Sequence, residues 1–232
     1  MQVTKIQESF QAYRKFLSGP DAHERIYLWE IQQHFQDNWD LDAEDLAEMY
    51  DRSLQSKHTR RHWRRENYEP KQMMLGFMSL EDNYLRQVFK DLFNERTEIS
   101  GRVDRFVFHC DQLLQEYKRK HPRSIDNNHY HDDGYQMISF YLAMRYPAEY
   151  TLYEGPAFVR LLEILGTRNL PQFDDFERFC KISRTLFKLM QKEEDLLALH
   201  RARLDEERHY MEDSLLLVYD YYQFTVGSNS QK

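Results

Sequence analysis

Residues 102–117 read RVDRFVFHCDQLLQEY, and the spacing of their apolar members decides the fold class. Val103, Phe106, Val107, Cys110, Leu113, Leu114 and Tyr117 recur at steps of three and four, which lines them up along one side of a 3.6-residue helix. Strand alternation would need steps of two. The same period recurs in both directions. Upstream, SLEDNYLRQVFKDLF has Leu85, Val88, Phe89, Leu92 and Phe93 on one side, with Ser79 and Asp82 spaced as a capping-box-like start. IQESFQAYRKFL carries Ile6, Phe10, Tyr13 and Leu17, and DAHERIYLWEIQQHF carries Ile26, Leu28, Trp29, Ile31 and Phe35. DLDAEDLAEMYDRSL opens on acids that suit a helix N-terminus and continues with Leu46, Met49, Tyr50 and Leu54. Downstream, YQMISFYLAMRYP is an apolar helix stopped by Pro147, and Pro156 sits where a helix begins. A long helix pair is expected over about 172–199 and 201–226. Only seven Gly and six Pro punctuate 232 residues, too few for a sheet-rich chain. The sequence therefore predicts an all-α, two-lobed domain of about nine or ten helices with no sizeable sheet.

The division is expected at KRKHPRSIDNNHYHDDG (118–134), which is polar and has no apolar period. It separates an N-terminal lobe over 1–120 from a C-terminal lobe over 135–226, with 121–134 as connection and 227–232 as tail or linker. Aromatic residues are 15% of the chain, which supplies core area and argues against disorder. Charged residues at 31% and a mean hydropathy of -0.84 indicate wet helix faces. No apolar run approaches a membrane span, and MQVTKIQESF has no signal-peptide core. With Cys110 and Cys180 read as buried thiols, a cytoplasmic protein is expected.

One segment runs against the net charge of -7. KHTRRHWRRENYEPK (57–71) holds six cations and two acids, a local +4 that leaves -11 for the remainder. On a helix Lys57, Arg61, Arg64 and Tyr68 share a face within about 40°, with Arg60 and Arg65 at its sides. Such a stripe suits phosphates, with Trp63 and Tyr68 free to stack on bases and Lys71 closing the run. Arg119 and Arg123 are candidates to extend it. The bland alternative is a solvated helix end whose cations answer the dipole.

Other clusters carry weaker chemistry. His121, Asp126, His129, His131, Asp132 and Asp133 lie in a polar connection whose spacing is not diagnostic of a metal, and solvation explains them. Arg203 and His209 satisfy the loose Arg-x4-6-His pattern of HEPN-type ribonucleases, but Arg52 and His58 satisfy it too. Glu193, Glu194 and Asp195 near Arg201 and Arg203 read as surface ion pairs, and Met73, Met74 and Met78 as core. No P-loop or C-x-x-C pair is present, and no Gly-flanked serine suggests a hydrolase elbow. No catalytic residue, metal or cofactor is therefore assigned.

The order of segments resembles a known family. WDLDAEDLAEMYDRSL, then MMLGFMSLEDNYLRQVFKDLFNERTEISGRVDRFVFHCDQLL, then HYHDDGYQMISFYLAMRYPAEYTLYEGPAFVRLLEIL, then EEDLLAL ahead of MEDSLLLVYDYYQF, resembles the region before the ATPase module of McrB-type AAA+ proteins of modification-dependent restriction systems. The most recognisable pieces are Arg86 with Phe89, Leu92 and Phe93, Arg102 with Phe106, and YLAMRYPAEYTLY (141–153). The resemblance implies a targeting domain that binds DNA or another signal, followed by a C-terminal AAA+ module that drives a nuclease subunit, with GSNSQK as the junction. It transfers no base-recognition residue to this chain. The expected function is a non-catalytic DNA-targeting domain. Alternatives are a helical scaffold that docks a motor, nuclease or phage protein, and a HEPN-like ribonuclease.

Overall fold

The computed structural model describes residues 1–55, 70–123, 134–172 and 174–229. These form ten α-helices with no strand among the described residues: α1 (Val3–Leu17), α2 (Tyr27–Asn38), α3 (Leu46–Ser53), α4 (Pro70–Leu92), α5 (Ile99–Lys120), α6 (Gln136–Arg145), α7 (Gly155–Ile164), α8 (Phe176–Met190), α9 (Glu194–Ala202) and α10 (Leu216–Asn229). A single 3₁₀ turn covers Pro20–His23.

The periodic residues face inward as their spacing requires. Ile6, Phe10, Tyr13 and Leu17 are the buried face of α1, and Val103, Phe106, Cys110, Leu113 and Leu114 that of α5. Asp45 caps α3 by accepting from the Glu48 N–H at 2.8 Å, which explains the acid-rich start. Two helices have no polar face over long runs. Met137 to Met144 of α6 are all buried, as are Leu216 to Tyr222 of α10, so these two lie inside the bundle. Residues from both sides of 121–134 join one buried cluster: α1 packs on α9 and α10, and α2 packs on α3 and α6.

Helices α4 and α5 form an antiparallel hairpin. Its register is fixed by Gly76 against Tyr117, Tyr84 against His109 and Asp91 against Arg105. The helix start expected at Ser79 falls two residues before the point in α4 where two helical stretches meet across a kink. Ser79 Oγ donates to the Gly76 carbonyl, and the backbone leaves helical angles at Glu81 (φ -151°, ψ 73°). The local sequence signals a break, and packing of the two stretches on α3 and α5 sets it as a kink.

Both halves of the expected C-terminal pair differ, and the first is broken at residues 191–193, between α8 and α9. Helix α9 ends at Ala202, and residues 203–215 are irregular before α10. Backbone donors that a continuous helix would use locally go elsewhere: Tyr210 N–H to the Trp29 carbonyl (3.1 Å) and Leu215 N–H to the Pro147 carbonyl (2.8 Å). At the end of α7, Gly166 takes φ +68°, and the Gly166 and Thr167 amides bond back to Glu163 and Leu162. Gln2 lies against that glycine and donates its backbone N–H to Leu165.

The residues that carry the family resemblance have structural tasks. Arg86 donates to the carbonyls of Leu41 and Ala43, tying the segment before α3 to α4. Arg102 is 2% exposed and donates to the Leu92 carbonyl, to Glu95 and to Tyr150 Oη (2.8 Å). It joins the α4–α5 turn to the segment after α6. Replacing Arg102 with Met keeps an apolar stem but orphans a buried carbonyl and the Tyr150 contact. The expected cost is about 2–3 kcal/mol, read as a lower urea midpoint at unchanged m-value.

Candidate functional site

Of the basic stripe, Lys57, Arg60, Arg61, Trp63, Arg64, Arg65 and Tyr68 lie outside the described residues, as do Asp126, His129, His131, Asp132 and Asp133. Lys71 is described. Its ammonium pairs with Asp51 Oδ1 at 2.7 Å and donates to the Asp51 carbonyl at 3.1 Å, so it clamps the start of α4 to α3. His34 Nε2 lies 2.9 Å from the Arg52 carbonyl and ties α2 to the same end of α3.

The hairpin register brings the basic end of α5 beside the start of α4. A Cβ on Gly76 would stand 3.0 Å from the Tyr117 ring, so the first turns of α4 run beside the last turns of α5. Running on from that contact, α4 reaches back to Pro70 and α5 forward to Lys118, Arg119, Lys120 and then Arg123. At 1.5 Å per residue α4 runs about 9 Å and α5 about 4.5 Å in the same direction, with residues 121–123 following α5 outside the helix. Arg119, Lys120 and Arg123 are exposed, and Lys120 pairs with Glu116 at 2.9 Å.

A surface feature that the sequence reading did not single out lies further along the hairpin. Phe108 is 55% exposed and Tyr84 37% exposed, both beside His109. The signal was present in the period: Phe108 stands two residues, or about 200°, from buried Phe106 and so on the solvent side of α5. A groove of about 600 Å³ beside Tyr84 is lined by Glu81, Gln112, Leu113, Gln115, Glu116 and Arg119. A second groove, about 740 Å³, lies between α3 and α4. Met49, Leu75 and Met78 line it together with Glu44, Asp45, Glu48, Asp82 and Arg52.

Arg203 and His209 have other tasks than acid–base chemistry. Arg203 donates to Asp220 Oδ2 (2.6 Å), to the Ala22 carbonyl (2.6 Å) and to His200 Nδ1 (3.1 Å from Nη2), and its guanidinium lies over the Trp29 ring. Asp220, fully buried, also accepts from Arg25 Nε and Tyr13 Oη, each at 2.6 Å. His209 Nδ1 accepts the Asp205 N–H at 2.8 Å, which shapes the irregular segment. Desolvation, then the Arg203 and Arg201 charges, hold His200 at about 3 despite Asp220 nearby. Burial also lowers His209.

Both cysteines are buried free thiols. Burial pushes Cys110 well up and Cys180 to about 12, which leaves neither as a ready thiolate. Among the described residues no three His, Cys, Asp or Glu side chains are grouped to hold a metal, and no helix is long and apolar enough to cross a membrane.

Comparison with protein-family models finds no match, and none is found among curated proteins or solved structures.

Proposed function

We propose that this chain is the non-catalytic targeting domain of a McrB-type restriction or defence ATPase, and that it recognises DNA through the basic segment 57–71. Arg60, Arg61, Arg64 and Arg65 contact phosphates, Lys57 adds to the same stripe, and Trp63 and Tyr68 are the stacking residues. A C-terminal AAA+ module and a nuclease subunit are the partners that the sequence resemblance implies. The observation that carries the reading is the hairpin register. It supports a shared positive corner, because the chain enters α4 at Pro70 beside the α5 end that bears Lys118, Arg119, Lys120 and Arg123. A concentrated corner is what an acidic body needs in order to attract a polyanion.

The groove between α3 and α4 favours a second reading, a protein-docking platform, since its lining mixes apolar side chains with four acids against one cation, Arg52, which fits a cationic amphipathic partner. Salt separates the two. Four phosphate contacts give a log–log slope near -3.6, so duplex affinity falls about a hundredfold between about 50 and 200 mM salt. The variant with Arg60, Arg61, Arg64 and Arg65 all changed to Ala is expected to lose most of that dependence. The measurement is fluorescence anisotropy with methylated and unmethylated duplexes at both salt concentrations. Equal behaviour of the variant and the parent chain removes the assignment.

A further inference from the structure

The α4–α5 hairpin presents flat rings and hydrogen-bonding side chains along one solvent face. Phe108 and Tyr84 both contact His109 edge-on with ring centroids 5.4 Å apart, and Tyr84 Oη lies 2.5 Å from His109 Nδ1. The imidazole thus sits between two exposed rings and fixes their spacing. From Phe108, residues Gln112, Gln115 and Arg119 follow at steps of four, three and four, which keeps them on one line down α5. That line is about 16 Å long and runs toward the basic end of the helix. Two acids border the groove. Glu116 is engaged by Lys120, and Glu81 sits at the kink.

We infer that this face binds an unpaired nucleic-acid strand: Phe108 and Tyr84 stack on bases, Gln112 and Gln115 meet base edges, and Arg119 meets a phosphate. The inference rests on the DNA reading above and adds strandedness to it. Bases in a duplex have their faces covered by neighbours, so exposed rings gain most from bases that are unstacked. A primary amide both donates and accepts, which matches base edges. The cations that continue along α5 give the strand's backbone a path to the corner where α4 begins. An apolar protein contact would use the rings but would not need the amides and the cationic run.

The test compares a short labelled oligothymidylate with its oligoadenylate duplex, bound to the full chain at about 100 mM salt. Phe108→Ala removes a half-exposed ring, so its melting temperature serves as the control for folding. Losing one stacked base is expected to weaken single-strand binding about tenfold while leaving duplex binding within about twofold. Arg119→Ala is expected to lower the salt slope by about one. Duplex binding equal to single-strand binding, with Phe108→Ala silent, overturns this inference, gives the face to a protein contact and leaves the DNA reading standing. Binding to neither oligonucleotide overturns both. Single-strand binding that depends on Phe108 but not on the four arginines keeps the face and removes the basic-segment assignment.

Discussion

Replacing Asp220 with alanine is expected to destabilise the protein by about 3–5 kcal/mol, because it leaves a guanidinium buried without its counter-ion. Asp220 is fully buried, and its two oxygens accept from Arg25, Arg203 and Tyr13. The Arg203 side chain is only 2% exposed, so it has no water to turn to when the carboxylate goes. The loss is a large share of a domain's usual stability, so the variant is expected to unfold at a much lower urea concentration. Tyr13→Phe gives a graded companion. It removes one hydrogen bond to a charged group without stranding a charge, and about 1.5–3 kcal/mol is expected. The double variant Asp220→Ala with Arg203→Met removes both charges and is expected to be more stable than Asp220→Ala alone. The resulting coupling energy, on the order of 1–3 kcal/mol, is read from urea midpoints across the cycle. Strict additivity would show that the two side chains do not stabilise one another. The chain positions joined here are far apart: Tyr13 on α1, Arg25 after the 3₁₀ turn, Arg203 after α9 and Asp220 on α10. The network therefore closes the two ends of the sequence onto each other.

That closure was not legible in the sequence, whereas the buried faces were. Spacing alone gave the inward residues of α1, α3 and α5, since a 3.6 period is a local property of the backbone. Arg203 and Asp220 belong to the same stretch of sequence, and their meeting depends on a turn after Ala202 that no local period encodes. Read locally, RARLDEERHYMEDS continues a helix. In the fold its donors serve the Trp29 and Pro147 carbonyls, acceptors more than sixty residues away. Arg203 itself looked like half of a nuclease pair because residue type and spacing are visible in a sequence and burial is not. The kink at Glu81 has the same cause. Ser79 and Asp82 mark a break, and the two helical stretches that meet there both pack on α3 and α5, which sets the kink between them. For the candidate site, Arg119 and Arg123 were read as neighbours of the basic stripe from charge alone. The register of Gly76 on Tyr117 sets the end of α5 beside the start of α4, while the stripe itself lies outside the described residues. Phe108 needed only a stricter use of the period, which marks it as a ring on the wet side.

The same buried network sets the expected response to acid. His200 accepts from Arg203 through Nδ1, stacks near Trp29, and is held at about 3 by burial and by the Arg203 and Arg201 charges, with Asp220 acting in the opposite direction. Its unfolded value is about 6.5, so between the two values the unfolded chain takes up a proton that the folded chain refuses. The stabilisation from a neutral His200 is therefore complete above about pH 6.5 and declines as pH falls toward 3. His209, whose Nδ1 accepts the Asp205 N–H, is also lowered and acts with the same sign. Burial raises Asp220, but the Arg203 and Arg25 charges with the Tyr13 and Arg25 hydrogen bonds bring it below its ordinary value, so its contribution is lost only at still lower pH, below about 4. The window from about pH 6.5 to 5 thus isolates the histidines, and His200 alone is expected to remove about 2 kcal/mol across it. Urea unfolding near pH 7.5 and near pH 5 measures the loss directly. In His200→Gln, whose amide oxygen can still accept from Arg203 but cannot titrate, more than half of the pH-dependent loss is expected to disappear. A parent chain equally stable at both values, or a variant that loses as much as the parent, would show that the imidazole is not held neutral by its burial between Trp29 and Arg203.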